Sequence, residues 1–282
     1  MRLLVTGAGG MLGTDVLAAA RARGHDCFGL ARAELDVTDA HAVAVAIAGH
    51  VPDAVVNCAA WTDVEGAEAK EPAALAVNGT GAGNLARAAT AAGAQLVQVS
   101  TDYVFDGSAT RPYVESDPTA ALCAYGRTKL AGEHEVIAAS AQHAVVRTAW
   151  LFGPGGQNFV TTMLRLAAGA GDEIAVVVDE VGCPTFTGHL APRLVELAES
   201  RAGGVFHLAG AGHCSRNEFA KAIFATAGLP LRVTETTQAK LAMLAARPPW
   251  SVLGSERDIE PLPPWQDGLA AYRAIAPGVF GR

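Results

Sequence analysis

The chain has 282 residues, of which 50% are hydrophobic and 17% charged, a composition typical of a globular protein with one large core. Its net charge of −7 argues against a general nucleic-acid-binding protein, which would need clustered lysine and arginine. No apolar run reaches the roughly 18 residues of a membrane span, and the first residues lack the long apolar region of a signal peptide. The five scattered cysteines form no Cys-x-x-Cys pair, so we expect free thiols and a cytoplasmic protein.

Strand-like and helix-like segments alternate over the first 153 residues. The strand-like runs are strongly apolar, which indicates strands buried on both faces and therefore a parallel sheet. The predicted strands cover 2–7, 26–31, 52–60, 94–100 and 143–152, and the predicted helices cover 11–24, about 38–49, about 63–92 and about 125–141, with a loop at 101–124. This pattern predicts an α/β fold with a Rossmann-type doubly wound parallel sheet.

The regular alternation loosens after residue 153. The predicted elements are a turn at 153–157, helices at 158–170 and 187–200, strands at 173–179 and 204–210, a helix and short strand beyond 210, and a loop at 246–265. We predict a dinucleotide-binding domain from 1–153 plus about 187–209. A smaller, discontinuous substrate domain would combine about 154–186 with 210–282, over the carboxyl ends of the strands, where ligands bind in such sheets.

The first predicted strand runs into VTGAGGMLG, in which Gly7, Gly10 and Gly13 are spaced G-x-x-G-x-x-G. Glycine permits a tight turn here, lets a pyrophosphate approach the main chain, and lets the helix pack closely on the strand. The helix N-terminus would offer free N–H groups to the phosphates. The position between a strand and a helix favours dinucleotide binding, and the alternative is an ordinary tight turn.

The second predicted strand ends where an NAD-selective site usually has an acidic residue that binds the ribose 2′-hydroxyl. Ala31 and Arg32 occupy that region. Arg32 could face the 2′-phosphate of NADPH, so the sequence favours NADPH, with NADH possible. Asp36 and Val37 could border the adenine. The alternative is that Arg32 is a solvent-exposed surface arginine.

The stretch AYGRTKLAGEHE, 124–135, places Tyr125 and Lys129 one turn apart on the same face of a predicted helix. A free tyrosine has a pKa of about 10, too high for easy proton exchange at neutral pH, and a neighbouring ammonium would lower it. Taken alone, such a pair is more often structural than catalytic. The trailing GEHE, 132–135, indicates a solvated helix face rather than a metal site.

The glycine turn and Tyr125-x-x-x-Lys129 together resemble the extended short-chain dehydrogenases/reductases. More specific stretches narrow this resemblance to the dTDP-4-dehydrorhamnose reductases: NCAAWTDVEGAE, STDYVFDG, YGRTKLAGE, VVRTAWLFG, NFVTTMLRLA, VVDEVGCPT, HLAGAGHCS and LPPWQDGL. The resemblance covers essentially the whole chain, and VGCPT, HLAGAG and LPPW are its most discriminating parts. It implies that a nicotinamide hydride reduces the 4-keto group of a dTDP-linked 6-deoxyhexose.

The resemblance also implies three catalytic residues. Tyr125 would donate a proton to the keto oxygen, Lys129 would lower the pKa of the tyrosine and bind the nicotinamide ribose, and Thr101 would polarise the keto oxygen. Ser100 could compete with Thr101, although strand alternation points it to the opposite face. The predicted cofactor-binding residues are Gly7, Gly10, Met11, Leu12, Gly13, Arg32, Asp36, Val37, Ala59, Ala60, Tyr125 and Lys129.

The predicted substrate-binding residues match sugar-contacting positions of the family. These are Thr62, Val64, Thr101, Asp102, Tyr103 and Trp150. Val64 and Trp150 could instead be core residues, and Asp102 could be a turn or cap residue.

The sugar diphosphate needs cationic or amide donors. Arg247 is the predicted residue, with Arg216 or Lys221 as further candidates, and all three could instead be solvated surface charges. Some family members dimerise through acidic residues that bind magnesium. Here Asp15 is present, but His189 stands where a second carboxylate is expected. We therefore predict no metal, and a homodimer by analogy only.

Three other functions are compatible with parts of this sequence. A reductase of another dTDP-4-keto-6-deoxysugar would share the cofactor and proton chemistry, and the sequence does not exclude it. A non-catalytic regulatory subunit resembling that of methionine adenosyltransferase is disfavoured by the complete set of Thr101, Tyr125 and Lys129. A dehydratase or epimerase is disfavoured because dehydratases of this superfamily carry an Asp-Glu pair where this chain has Asp102 and Tyr103.

Overall fold

The computed structural model describes residues 1–169 and 171–281 and alternates strands with helices over most of the chain. The strands are β1 (Arg2–Thr6), β2 (Asp26–Leu30), β3 (Ala54–Asn57), β4 (Gln95–Thr101), β5 (Ala144–Thr148), β6 (Leu151–Phe152), β7 (Glu173–Val177), β8 (Val181–Gly182), β9 (Thr185–Phe186), β10 (Gly204–His207), β11 (Cys214–Ser215) and β12 (Arg232–Thr236). The helices are α1 (Met11–Ala22), α2 (Ala40–His50), α3 (Val64–Ala69), α4 (Glu71–Leu75), α5 (Ala82–Ala91), α6 (Ala124–Ala139), α7 (Phe159–Ala167), α8 (Thr187–Ser200), α9 (Arg216–Ala227), α10 (Gln238–Leu241), α11 (Trp265–Ile275) and α12 (Pro277–Phe280).

The centre of the fold is a six-stranded parallel sheet in the order β10-β5-β4-β3-β1-β2. Alternate residues of β1 enter two different cores. Leu3 and Val5 pack in a cluster with residues of α1 and α8, whereas Leu4 packs with residues of α2, α5 and α6. Helices therefore cover both faces of the sheet, and the predicted Rossmann-type doubly wound fold is confirmed.

The predicted helical stretch from 63 to 92 consists of α3, α4, a π-helical segment at Ala76–Gly81, and α5. Asn78 in the π-helical segment is buried. Its side chain accepts from the Trp61 backbone N–H at 2.8 Å and donates to Thr128 Oγ1 at 3.1 Å. Asn78 thereby joins the loop after β3 to α6, and irregular helical turns of this kind are frequent at functional sites.

Beyond residue 153 the chain adds small two-stranded ladders. β7–β12 and β6–β9 are parallel, and β8–β11 is antiparallel. An aromatic core that includes Phe152, Phe219 and Tyr272 joins these ladders to α7, α9 and α11. β10, in contrast, pairs with β5 in the main sheet. Our division of the chain into two discontinuous domains remains a prediction.

The structure differs from the predicted elements at several places. The predicted strand at 143–152 is two strands, because Trp150 has a φ of 45° and turns the chain between β5 and β6. The helix α11 begins at Trp265, the last residue of the predicted loop at 246–265. It was not predicted, and neither were the short elements β8, β9, β11, α10 and α12. Ala170 and Arg282, which end the predicted helix at 158–170 and the predicted second domain, lie outside the described residues. No helix within 1–169 or 171–281 is long and apolar enough to span a membrane.

Candidate active site

The turn between β1 and α1 leaves the N-terminus of α1 open. Gly7 has a φ of 66°, and a Cβ here would lie 2.6 Å from the backbone nitrogen of Ala59. A Cβ on Gly13 would overlap the carbonyl oxygen of Gly7. Gly10 is the N-cap residue and supplies no side-chain cap. The first N–H groups of α1 therefore lack a side-chain acceptor and can bind an anion.

A cavity of about 1070 Å³ extends from this turn to Tyr125 and Trp150. The predicted site residues that line it are Gly7, Gly10, Met11, Leu12, Gly13, Arg32, Asp36, Val37, Ala59, Ala60, Thr62, Thr101, Tyr125, Lys129 and Trp150. Four predicted substrate-binding residues are not among its lining residues, namely Val64, Asp102, Tyr103 and Arg247. The structure thus brings the predicted cofactor and catalytic residues into one cavity and leaves part of the predicted sugar site behind its wall.

Arg32 and Asp36 lie exposed at the end of the cavity near β2. Asp36 accepts from the backbone N–H and the hydroxyl of Thr38 at 2.9 and 2.8 Å, and these hydrogen bonds lower the pKa of its carboxyl. Val37 is buried beside them. Arg32 therefore presents an accessible cation in the region expected for the adenosine 2′-phosphate.

The hydroxyl groups of Ser100 and Thr101 at the end of β4 have different partners. Thr101 Oγ1 donates to Asp102 Oδ1 at 3.0 Å and accepts from the backbone N–H of Tyr103 at 3.2 Å. Ser100 Oγ donates to Glu133 Oε1 at 2.5 Å. Each hydroxyl thus meets a buried carboxylate, and Thr101 is the better candidate for one that meets a ligand because it also lies beside the Tyr125 phenol.

Tyr125 and Lys129 lie one turn apart at the start of α6. Lys129 is buried, and its Nζ donates to the carbonyl oxygen of Val99 at 2.6 Å. Burial lowers the pKa of Lys129 to about 8, although the charge of Glu133 acts to raise it. Burial also raises the pKa of Tyr125, and the Thr101 hydroxyl acts in the opposite direction. The net direction for Tyr125 is the reverse of the expected lowering, because burial of the phenol outweighs the groups around it.

Other residues that line the cavity were not proposed from the sequence. Thr148 pairs in register with Thr101, and its buried Oγ1 has no partner in the described part of the chain. The turn at 155–157 lies against α1, where a Cβ on Gly156 would be 3.3 Å from Met11 Cβ. Thr148 ends β5 and the turn comes after β6, so the rule that ligands bind at the carboxyl ends of strands could have found them.

Trp150 forms one wall of the cavity, and its ring is held from two sides. A Cβ on Gly182 would lie 2.6 Å from the ring, so this position has room for glycine alone. On the other side, the guanidinium carbon of Arg216 lies 3.5 Å from the ring centroid, a cation–π contact. Arg216 Nε is also 3.2 Å from Glu180 Oε2.

Arg247, the predicted diphosphate ligand, is engaged in ion pairs. Its Nη2 lies 2.7 Å from Glu65 Oε1, and its Nε lies 3.9 Å from Glu180 Oε1. Glu180 therefore lies between Arg247 and Arg216. Lys221, the third cationic candidate, is exposed on α9. Of the three candidates, the two arginines belong to one charged cluster and Lys221 stays on the surface.

The remaining predicted substrate residues surround Tyr125. Val64 and Tyr103 share an apolar cluster with Tyr125, and the two tyrosine ring centroids are 5.7 Å apart in an edge-to-face contact. Asp102 is buried, and burial raises the pKa of its carboxyl to about 6 although Ser251 acts to lower it. Sugar contacts by these residues remain a prediction.

The prediction of a solvated helix face at 132–135 is wrong for its first half. Gly132 packs so closely that a Cβ would overlap the carbonyl oxygen of Asn78, and the Glu133 side chain is only 1% exposed. His134 and Glu135 are exposed, as expected. The burial of Glu133 results from the packing of α6 on the sheet, which helical periodicity alone does not reveal.

A dinucleotide fits this arrangement of residues. The open N-terminus of α1, the close approach at Gly7 and the unpartnered Thr148 hydroxyl lie in the same cavity as Tyr125 and Lys129. A Rossmann-type sheet with this glycine turn, and with Tyr-x-x-x-Lys opening the helix after β4, defines the class of extended short-chain dehydrogenases/reductases.

Comparison with known proteins identifies the family within this class. The family model of the RmlD substrate binding domain matches residues 1–276, and the chain belongs to this family. The chain is 46% identical to a dTDP-4-dehydrorhamnose reductase of Streptomyces griseus, covering 100% of this chain and 95% of that protein. It is 42% identical to a dTDP-4-keto-6-deoxy-D-glucose reductase of Streptomyces niveus, covering 95% of each. The crystal structure of dTDP-4-dehydrorhamnose reductase from Bacillus anthracis in complex with NADP superposes with a TM-score of 0.94 at 34% identity, covering 97% of this chain and 99% of that one.

Proposed function

We propose that this chain is an NADPH-dependent reductase that converts the 4-keto group of dTDP-4-dehydro-L-rhamnose into the hydroxyl group of dTDP-L-rhamnose. The observation that carries the proposal is one cavity that contains both the open N-terminus of α1 and the set Thr101, Tyr125 and Lys129. The 46% identity to the Streptomyces griseus reductase supports the substrate. The NADP in the Bacillus anthracis structure supports the cofactor.

On the cofactor side, the residues of the chain bind and orient the dinucleotide. The first turn of α1 holds the pyrophosphate through its backbone N–H groups. Arg32 faces the 2′-phosphate, Asp36 and Val37 border the adenine, and Lys129 binds the ribose next to the nicotinamide. When bound, NADPH supplies the hydride that reduces C4 of the sugar.

On the chemical side, Tyr125 donates its phenolic proton to the keto oxygen as C4 is reduced. The phenolate that remains is an anion in a buried site, and the ammonium of Lys129, held by the Val99 carbonyl, stabilises it. The Thr101 hydroxyl points to Asp102 in this structure, so it polarises the keto oxygen after rotating about its Cβ–Oγ bond.

On the sugar side, Thr62 and Trp150 contact the ring, because both line the cavity. Tyr103 packs against Tyr125 and Asp102 accepts from Thr101, so both shape the pocket around the catalytic residues. The diphosphate extends toward Arg247, which must then share its charge between the ligand and the carboxylates of its own ion pairs.

A second candidate function is the reduction of another dTDP-4-keto-6-deoxysugar, which the Streptomyces niveus relative favours. The test is NADPH oxidation with enzymatically prepared dTDP-4-dehydrorhamnose and, separately, with dTDP-4-keto-6-deoxy-D-glucose, with the product stereochemistry read by NMR. We expect oxidation with the first substrate and an L-rhamno product. Oxidation with the second substrate alone would replace the proposal, and oxidation with neither would refute both candidates.

Two further properties belong to this proposal. We propose a homodimer, by analogy with the family, which sedimentation velocity would test directly. We also propose a cytoplasmic location, which is supported by five free cysteines. Cell fractionation with the chain in an extracytoplasmic fraction would contradict it.

A further inference from the structure

Glu133 continues the row that Tyr125 and Lys129 begin, four residues further along α6. Glu133 does not line the cavity, and both of its carboxylate oxygens accept hydrogen bonds from buried side chains. Ser100 Oγ donates to Oε1 at 2.5 Å. Arg147 Nε donates to Oε1 at 3.0 Å and Arg147 Nη2 to Oε2 at 2.8 Å. A charged carboxylate therefore lies in the core, one turn from Lys129, at the junction of α6, β4 and β5.

The charged and titratable groups that face this junction come from every element packed on it. They are Tyr125 and Lys129 on α6, Cys58 after β3, Asp102 and Tyr103 after β4, Arg147 on β5, His207 on β10 and Glu115 in the loop before α6. Burial raises the pKa of Cys58 to about 12 and lowers that of His207, so both are neutral near pH 7. The π-helical segment at Ala76–Gly81 contacts α6 through Asn78, which carries no charge.

We propose that Glu133 is a positioning residue whose buried carboxylate keeps the ammonium of Lys129 charged and, through Arg147 and Ser100, fixes α6 on β4 and β5. Lys129 Nζ donates to the carbonyl oxygen of Val99, and Glu133 Oε1 accepts from the hydroxyl of Ser100, the next residue of β4, so the ammonium and the carboxylate are neighbours. The charge of Glu133 acts to raise the pKa of Lys129 against the effect of burial. Without Glu133 the ammonium loses its anionic neighbour, and its pKa falls further below about 8. The consequence for turnover rests on the proposed function, but the ionisation of Lys129 does not.

The test is an NMR titration of the full chain labelled with ¹³C at lysine Cε. The chain has four lysines, Lys70, Lys129, Lys221 and Lys240, and the variant Lys129→Arg assigns the Lys129 signal. We expect a midpoint near pH 8 in the unchanged protein and a midpoint lower by about 1 unit or more in Glu133→Gln. Glu135→Gln is the matched control, since it changes the exposed partner of Arg87 on the same helix and should leave the midpoint in place.

Glu133→Gln leaves Arg147 without a buried partner, which can prevent folding. The double variant Glu133→Gln/Arg147→Met removes both charges of the pair. Because Arg147 is a cation whose removal partly offsets the loss of the carboxylate, we expect a smaller shift there, in the same downward direction. A Lys129 midpoint equal to that of the unchanged protein in a folded variant of either kind would overturn the proposal, since a purely structural role changes stability and not this titration.

Turnover gives a second, separate readout. In Glu133→Gln we expect the alkaline limb of the pH profile of kcat/KM to move down by the same amount as the Lys129 midpoint. If the Lys129 midpoint moves but the alkaline limb of the kcat/KM profile does not, Glu133 has no role in the reaction. If the unchanged protein reduces no dTDP-4-keto sugar, the proposed function fails, and the NMR titration still decides the role of Glu133.

Discussion

The cofactor half and the sugar half of the cavity are built in different ways. The cofactor half is made of backbone and small residues, with Gly7 pressed against Ala59 at the open end of α1. The sugar half is lined by Thr62 and Trp150, and a cluster of side-chain charges lies behind Trp150, with Glu180 between Arg216 and Arg247. Substitutions in the first half should therefore act through main-chain geometry, and those in the second through charge. Four variants test this difference.

Tyr125→Phe lies where the two halves meet and should have the largest effect. The phenyl ring keeps the contact with Tyr103 but has no proton to give, so we expect kcat to fall by about 10² to 10⁴. The NADPH dissociation constant, measured by fluorescence titration, should stay the same. Tyr113→Phe is the control, because its hydroxyl donates to Asp106 in a loop that does not line the cavity. Near-normal turnover in Tyr125→Phe would remove the proton-donor role.

Gly7→Ala tests the backbone character of the cofactor half. Its Cβ would meet the Ala59 nitrogen at 2.6 Å, so the turn must shift and NADPH binding should weaken by roughly a hundredfold. Gly24→Ala is a matched control, since Gly24 has a similar φ of 76° but no atom within 4 Å of a new Cβ. Equal loss of NADPH binding in the two variants would assign the effect to backbone strain instead of close approach.

Arg247→Met tests the charge character of the sugar half. The substitution removes the proposed diphosphate ligand and leaves Glu65 without its cation, while Glu180 keeps Arg216, so we expect the KM for the dTDP-sugar to rise about 30-fold. The NADPH dissociation constant should not change. Arg232→Met, which removes an exposed pair with Glu173, should alter neither constant. A change in NADPH affinity in Arg247→Met would contradict the claim that the two halves bind their ligands independently.

Arg32→Ala should have the smallest effect, because Arg32 is exposed and solvent weakens its contact with the 2′-phosphate. We expect NADPH affinity to fall about tenfold and NADH affinity to stay the same, since NADH lacks the 2′-phosphate. Competition binding of both nucleotides measures this. Arg21→Ala, an exposed arginine outside the cavity lining, is the control. Equal losses for the two nucleotides would contradict the 2′-phosphate contact.

The difference between the cofactor half and the sugar half also explains which parts of the site could be predicted from the sequence. Gly7, Gly10 and Gly13, and the Tyr125–Lys129 pair, have fixed local spacings, so their elements followed from periodicity. That they act at one site followed from the family resemblance. The ion pairs of the sugar half join distant residues; Arg216 and Glu180 are 36 positions apart, and no local pattern reveals them. The candidates Arg216 and Arg247 could be named but not their partners.

The wrong predictions for Glu133 and Trp150 have the same physical cause. Glu133 was expected on a solvated face, and Trp150 inside a continuous strand. Both expectations came from single-element periodicity, which describes one helix or strand in isolation. The packing of α6 on two strands buries Glu133, and the pairing of β6 with β9 draws the chain away from β5 at Trp150. In both cases tertiary contacts override the local pattern.

The left-handed backbone of Trp150 has a consequence for affinity. A non-glycine residue at a φ of 45° carries a conformational cost of about 1–3 kcal/mol, which the surrounding structure offsets. Because Gly182 and Arg216 already confine the indole ring, little rotational entropy is left to lose when a ligand arrives. We expect this wall to be preorganised, so that ¹⁵N relaxation of the Trp150 indole is the same with and without the dTDP-sugar.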